Sequence, residues 1–241
     1  MKVLVFDTYN EMSRAAAEIM ADTIKANPEC VLGLATGSTP VGMYNCLVEK
    51  YNSGEIDFSS IKTVNLDEYY PISPENRQSY RYFMNEHLFS KVNIKIENTR
   101  VPAGDAKDPE VECAAYEKYI DSLGGIDIQV LGIGQNGHIG FNEPDSFLYR
   151  DTHVTGLTES TIQANARFFS EDEVMPTKAL TMGMGSIFKA RKIIVMANGA
   201  AKIDAVRKLL EGNITTDCPA TFLNLHGDVT LICDKLAFGE N

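Results

Sequence analysis

Ile126-Asp127-Ile128-Gln129-Val130-Leu131-Gly132-Ile133 is the most apolar strand pattern in the chain, and it runs directly into Gly134-Gln135-Asn136-Gly137-His138. A short apolar run rich in β-branched residues and bounded by glycine reads as a strand buried on both faces. Similar runs lie on either side of it: Lys2 to Phe6, Val31 to Ala35, Lys62 to Leu66, Lys192 to Ala197 and Val229 to Cys233. Helical spacing falls between them. Met12, Ala16, Ile19, Met20, Thr23 and Ile24 recur on one helix face, and Pro40 suits a first helical position ahead of Tyr44, Leu47 and Val48. Tyr80 to Phe89, Pro109 to Ser122 and a stretch through Val206 and Leu210 are also expected to be helical. Continuous apolar strands alternating with helices predict an α/β protein, a mostly parallel central sheet with helices on both faces. No repeat, low-complexity segment or linker interrupts the pattern, so a single domain over residues 1–241 is expected.

The 241 residues are 44% hydrophobic, enough for one sizeable core. With 22 basic and 33 acidic residues the net charge is −11, which argues against nucleic acid or a membrane surface as partner. The five cysteines are widely spaced with no C-x-x-C pair, as in reduced thiols of a cytoplasmic protein. Met1 to Phe6 lacks the basic and long apolar regions of a signal peptide, and no apolar run is long enough to span a membrane.

Three polar clusters fall at predicted strand ends, where open parallel sheets hold their ligands. Thr36-Gly37-Ser38-Thr39 joins a strand to a helix start, so its amides and hydroxyls suit an anion; a Ser/Thr helix cap would look the same. It is neither a P-loop nor a dinucleotide fingerprint. Asp67-Glu68 sets two carboxylates at the end of an apolar strand, where a partly dry pocket would raise proton affinity and make a general base; a solvated strand end is the bland alternative. The third cluster packs four glycines into the nine positions from Gly132 to Gly140, around His138 and close to Asn136 and Glu143. Glycines permit close approach to a ligand, and imidazole suits proton transfer near neutral pH. No second His or Cys lies nearby, so a metal site is not expected.

Taken together, Leu32-Gly33-Leu34-Ala35-Thr36-Gly37-Ser38-Thr39-Pro40, Asn65-Leu66-Asp67-Glu68-Tyr69 and Gly134-Gln135-Asn136-Gly137-His138-Ile139-Gly140-Phe141-Asn142-Glu143-Pro144 resemble the signatures of glucosamine-6-phosphate deaminases. Ala164 to Phe169 and Gly199 to Lys202 fit the same family. The resemblance implies a Rossmann-like fold, no metal and no cofactor, and conversion of glucosamine 6-phosphate and water to fructose 6-phosphate and ammonia. It implies Asp67 as the base that moves a proton from C2 towards C1. It also implies His138 as the ring-opening group, tuned by Glu143 and Asn136. Arg167 and Lys202 would hold the phosphate with the Thr36, Gly37, Ser38 and Thr39 segment. Glu68 receives no role.

Two other readings stand beside it. A 6-phosphogluconolactonase-like hydrolase shares the fold and the Gly-His loop, but has arginine where Tyr69 follows the acidic pair here. A sugar-phosphate-sensing regulatory domain would have no need of Asp67 and His138 together, and should carry a basic DNA-binding element. Some relatives are hexamers activated by N-acetylglucosamine 6-phosphate. Here His153 and Thr155 stand where that branch has basic side chains, and the chain stops at Asn241 without that branch's extension. An unregulated monomer is therefore expected. Pro144 to Thr158 and Phe168 to Lys178 are the candidate lid segments.

Overall fold

The computed structural model describes residues 1–158 and 175–240. Arg167, and most of the second candidate lid, lie outside the described residues. Seven parallel strands form the central sheet in the order β1-β10-β9-β6-β2-β3-β5. They are β1 (Lys2–Phe6), β2 (Val31–Leu34), β3 (Lys62–Asn65), β5 (Thr99–Arg100), β6 (Ile126–Gly132), β9 (Ala190–Ala197) and β10 (Val229–Asp234). The expected mostly parallel α/β sheet is present. β6, the most apolar run, occupies its centre between β9 and β2.

Helices cover both faces because β2, β6, β9 and β10 offer apolar side chains to both. On one face α1 (Tyr9–Ala26) and α2 (Val41–Asn52) seat Met12, Met20, Tyr44 and Leu47 against Leu32, Leu34, Val130 and Ile194. On the other, α4 (Pro109–Ser122), α5 (Met184–Phe188) and α6 (Ile203–Glu211) bring Tyr116, Ile187 and Val206 onto Leu131, Val195 and Leu231. The boundary of α1 follows from its sequence. Thr8 accepts from the Glu11 amide while Glu11 reaches back to the Thr8 amide, a reciprocal cap that satisfies two otherwise orphaned donors. Leu210, expected on the helix with Val206, faces outward at 39% exposure. Pro40 is the residue before α2 rather than its first residue, and no side chain caps that helix.

A second sheet was not expected. β4 (Asp67–Tyr70), β7 (His153–Gly156) and β8 (Lys178–Thr181) form a small antiparallel sheet in the order β4-β8-β7. The segment Lys62 to Glu68, anticipated as one strand with an acidic end, divides at Leu66: β3 belongs to the central sheet and β4 to the small one. Asp67 pairs with Thr181, and Thr181 with His153. The short helix α3 (Tyr80–His87) follows β4. No helix among the described residues is long and apolar enough to cross a membrane.

Candidate active site

The chain leaves β2 towards β3 on one side and leaves β6 towards β9 on the other, so the carboxyl ends of β2 and β6 flank a topological switch point. Thr36 to Thr39 follows β2 there, and the His138 loop follows β6. In the first loop Gly37 sits at φ +92°. The amides of Gly37, Ser38 and Thr39 donate to no partner among the described residues. The hydroxyls do not cap α2. Instead, Thr39 Oγ1 donates to Asn198 Oδ1 at 2.8 Å, and the Tyr9 hydroxyl donates to the Ser38 and Thr39 carbonyls. Unpaired amides at a helix start form a cradle for an anion.

The Thr39–Asn198 bond joins this cradle to the segment after β9. There Gly199 donates its amide to both carboxylate oxygens of Asp234, at the end of β10, and a 3-10 turn ends at Lys202. Lys202 is half-buried, and burial pulls its ammonium below the usual lysine range. It has no carboxylate within ion-pair distance among the described residues. Asn198 and Asp234 carry no motif that sequence reasoning could have singled out; only the sheet order brings them here.

The His138 loop is braced by its own backbone and by neighbours. Gly134 donates to the His138 carbonyl at 2.9 Å, and Ala220 donates to the Gly137 carbonyl at 2.8 Å. A Cβ on Gly134 would stand 2.4 Å from the imidazole ring, so only glycine lets the ring lie there. Glu143 Oε1 lies 3.2 Å from His138 Nδ1, at ion-pair distance though out of line for a hydrogen bond. Asn136 donates its amide to Glu143 Oε2 at 2.7 Å and accepts the His138 backbone N–H at 3.1 Å. Asn136 therefore positions Glu143 and the loop backbone, and Glu143 meets the ring.

Asp67 comes to this loop through the small sheet. Phe141 donates its amide to Thr181 Oγ1, and Asn142 Nδ2 donates to the Ile139 and Met182 carbonyls, which fastens Ile139 to Asn142 onto the end of β8. Gly140, at φ +59°, crosses Asp67 closely: a Cβ there would be 2.9 Å from Thr181 Oγ1 and 3.3 Å from Asp67 Oδ2. Asp67 is 6% exposed and accepts no hydrogen bond from the described residues. Burial, with the charge of Glu68 beside it, pushes its carboxyl up to about 8. Such a group takes up a carbon-bound proton far more readily than a solvated aspartate. Among the described residues no group of His, Cys, Asp and Glu is arranged to hold a metal.

A buried, strongly basic carboxylate, a histidine–glutamate pair and an anion cradle at a switch point define a doubly wound α/β protein equipped for acid–base chemistry on an anionic ligand. The comparisons with known proteins narrow the class. The family profile described as "Glucosamine-6-phosphate isomerases/6-phosphogluconolactonase" matches residues 7–232, and the chain belongs to that family. A glucosamine-6-phosphate deaminase from Clostridium beijerinckii is 58% identical over 98% of this chain and 97% of its own length. A second deaminase, from Clostridioides difficile, is 55% identical over 98% and 95%. The solved structure of a monomeric glucosamine-6-phosphate deaminase superposes with a TM-score of 0.96 at 48% identity, over 100% of both chains. A 6-phosphogluconolactonase from Thermotoga maritima shares the fold, at a TM-score of 0.77 and 19% identity.

Proposed function

We propose that this chain, as one domain, converts glucosamine 6-phosphate and water to fructose 6-phosphate and ammonia in the cytoplasm. The observation that carries the reading is the crossing of Gly140 over Asp67, which sets a buried base beside the His138 loop. His138 moves a proton from the anomeric hydroxyl to the ring oxygen and opens the sugar, with Glu143 set against its ring. Asp67 takes the C2 proton of the open form, leaving an enolamine, and returns it to C1. Water then adds at C2 of the resulting imine and ammonia leaves, giving the ketone. Lys202, Arg167 and the Thr36 to Thr39 cradle hold the phosphate. These proton transfers call on no nucleophile, redox centre or metal. The high identity to deaminases, against 14–21% for the lactonase structures, favours this over lactone hydrolysis.

The enzyme is further proposed to be an unregulated monomer. His153 is 9% exposed, its Nδ1 lies 3.0 Å from the Asp151 carbonyl, and its ring stacks on Tyr149. Burial lowers its pKa, so the imidazole is neutral and a poor phosphate ligand. One experiment tests both parts. Purified protein should release ammonia from glucosamine 6-phosphate and leave 6-phosphogluconolactone untouched. The substrate curve should be hyperbolic with or without N-acetylglucosamine 6-phosphate, at a solution mass near 26.6 kDa. Lactone hydrolysis without ammonia release would sink the activity; a sigmoidal curve relieved by the effector would sink the regulatory part, and a stable oligomer the assembly part.

A further inference from the structure

Glu68 is 1% exposed, yet its carboxylate is fully engaged. Oε1 accepts the Tyr69 and Tyr80 amides at 2.9 and 2.8 Å, and Oε2 accepts the Arg81 amide at 2.9 Å. Tyr80 and Arg81 open α3, so Glu68 is an anion set into a helix N-terminus. Asp67 precedes it on β4. Successive side chains of a strand point to opposite faces, and these two do: Asp67 towards Gly140 and the His138 loop, Glu68 towards α3. The two carboxylates are thus treated oppositely. Glu68 has three donors that favour its ionised form. Asp67 has none among the described residues.

We infer that Glu68 is a positioning residue for the reaction: a fixed negative charge behind the strand, held by the start of α3, that strengthens Asp67 as a base without touching the substrate. The inference rests on the reading of Asp67 as the base. A charge one residue away across a buried strand acts through little water, so it opposes ionisation of Asp67 and raises its proton affinity. Burial pushes both carboxyls up, but the Tyr69, Tyr80 and Arg81 amides pull Glu68 back towards its ionised form while Asp67 has no such donor among the described residues, so Glu68 is the first of the pair to ionise. The other charged or titratable groups facing the pair are few. Tyr69 on β4, Tyr80 on α3 and Tyr116 on α4 are all pushed up by burial and stay neutral in this range. Arg81 on α3 tempers the charge of Glu68, and Arg100 on β5 acts on Arg81. His138 and Glu143 stand on the loop that crosses Asp67. Glu68 also braces β4 against α3, which any test must separate from its charge.

The test compares Glu68→Gln, which removes the charge, with Glu68→Asp, which keeps the charge but shortens the reach to the amides. The readout is the acidic limb of the pH profile of kcat for ammonia release. The limb should move down by about one pH unit in Glu68→Gln and stay near the wild-type position in Glu68→Asp, with KM changing little in the former. A folded Glu68→Gln with an unmoved or raised limb would overturn the inference, as would equal shifts in both variants. Should Glu68→Gln fail to fold, carboxyl-carbon resonances of the wild-type protein decide: Glu68 ionised where Asp67 begins to titrate supports the inference, and Glu68 protonated there overturns it. Asp67→Asn is the control. If it still exchanges the C2 proton of bound substrate with deuterated water, Asp67 is not the base; if it does not and the Glu68→Gln limb is unmoved, only the role of Glu68 falls.

Discussion

Asp67→Asn is expected to lower ammonia release by about 10²–10⁴-fold, the usual range for loss of a general base. The substitution is nearly isosteric, and no hydrogen bond from the described residues to the Asp67 carboxylate is lost. Phosphate binding should therefore survive, and exchange of the substrate C2 proton with deuterated water should stop. The same change should stabilise the fold. In the unfolded chain an aspartate has a pKa of about 3.9, whereas in the folded protein Asp67 is pushed up to about 8. Where the folded pKa of an acid is the higher one, the folded state binds more protons, and stability falls as pH rises between the two values. The penalty is absent below about pH 4 and complete above about pH 8. A neutral amide never incurs it. Asp67→Asn should thus raise Tm at pH 8 by several degrees, at about 2–4 °C per kcal/mol for a chain of this size, and the gain should shrink as pH falls towards 4. A Tm gain independent of pH, or none at pH 8, would mean that Asp67 is not held as a destabilised acid. In the wild type, activity should decline as pH falls through the same region, because protonated Asp67 cannot accept a proton.

The central sheet was legible because parallel strands buried on both faces have no choice but to be apolar throughout, and β2, β6, β9 and β10 all read that way. The small sheet was not. Asp-Glu-Tyr-Tyr, His-Val-Thr-Gly and Lys-Ala-Leu-Thr are four-residue strands with no sustained alternation, and β4 pairs with a segment more than a hundred residues away. Their pairing is decided by tertiary contacts that no local window contains. β5 has two residues and could not register at all. In the site, the acidic pair and the glycine–histidine loop were visible as unusual chemistry at strand ends. What makes them one site was hidden: Thr181 holding Phe141, Gly140 crossing Asp67, Asn198 tying Thr39 to the Lys202 segment. The different surroundings of Asp67 and Glu68 also needed the structure, since sequence sets the two carboxylates side by side and only the fold gives amide donors to Glu68 and not to Asp67 among the described residues.

Lys202→Ala is the other large effect, and it should appear in KM. The phosphate lies at the far end of the sugar from C1 and C2, so contacts to it hold the ground and transition states alike. Losing such contacts raises KM and leaves kcat near its wild-type value. A charge-assisted hydrogen bond contributes about 1.5–3 kcal/mol, so KM for glucosamine 6-phosphate should rise by about 10–150-fold, while the poor turnover of unphosphorylated glucosamine should be unchanged. Arginine should restore little, because Lys202 ends a tight turn beside a backbone cradle that suits a compact ammonium rather than a planar fork. The protein's net charge of −11 offers no general attraction for a dianion, which makes this local cation matter more. The pH dependence supplies a second check. Burial lowers the Lys202 pKa, so the wild type should begin to lose affinity for the phosphorylated substrate on the alkaline side, before an ordinary lysine would deprotonate. In Lys202→Ala that alkaline rise in KM should disappear, since the group that titrates is gone. Equal losses for the phosphorylated and unphosphorylated sugars would instead mean that Lys202 supports the fold of the β9–α6 segment, and the phosphate would then rest on the amides of Gly37 to Thr39 and on Arg167 without it.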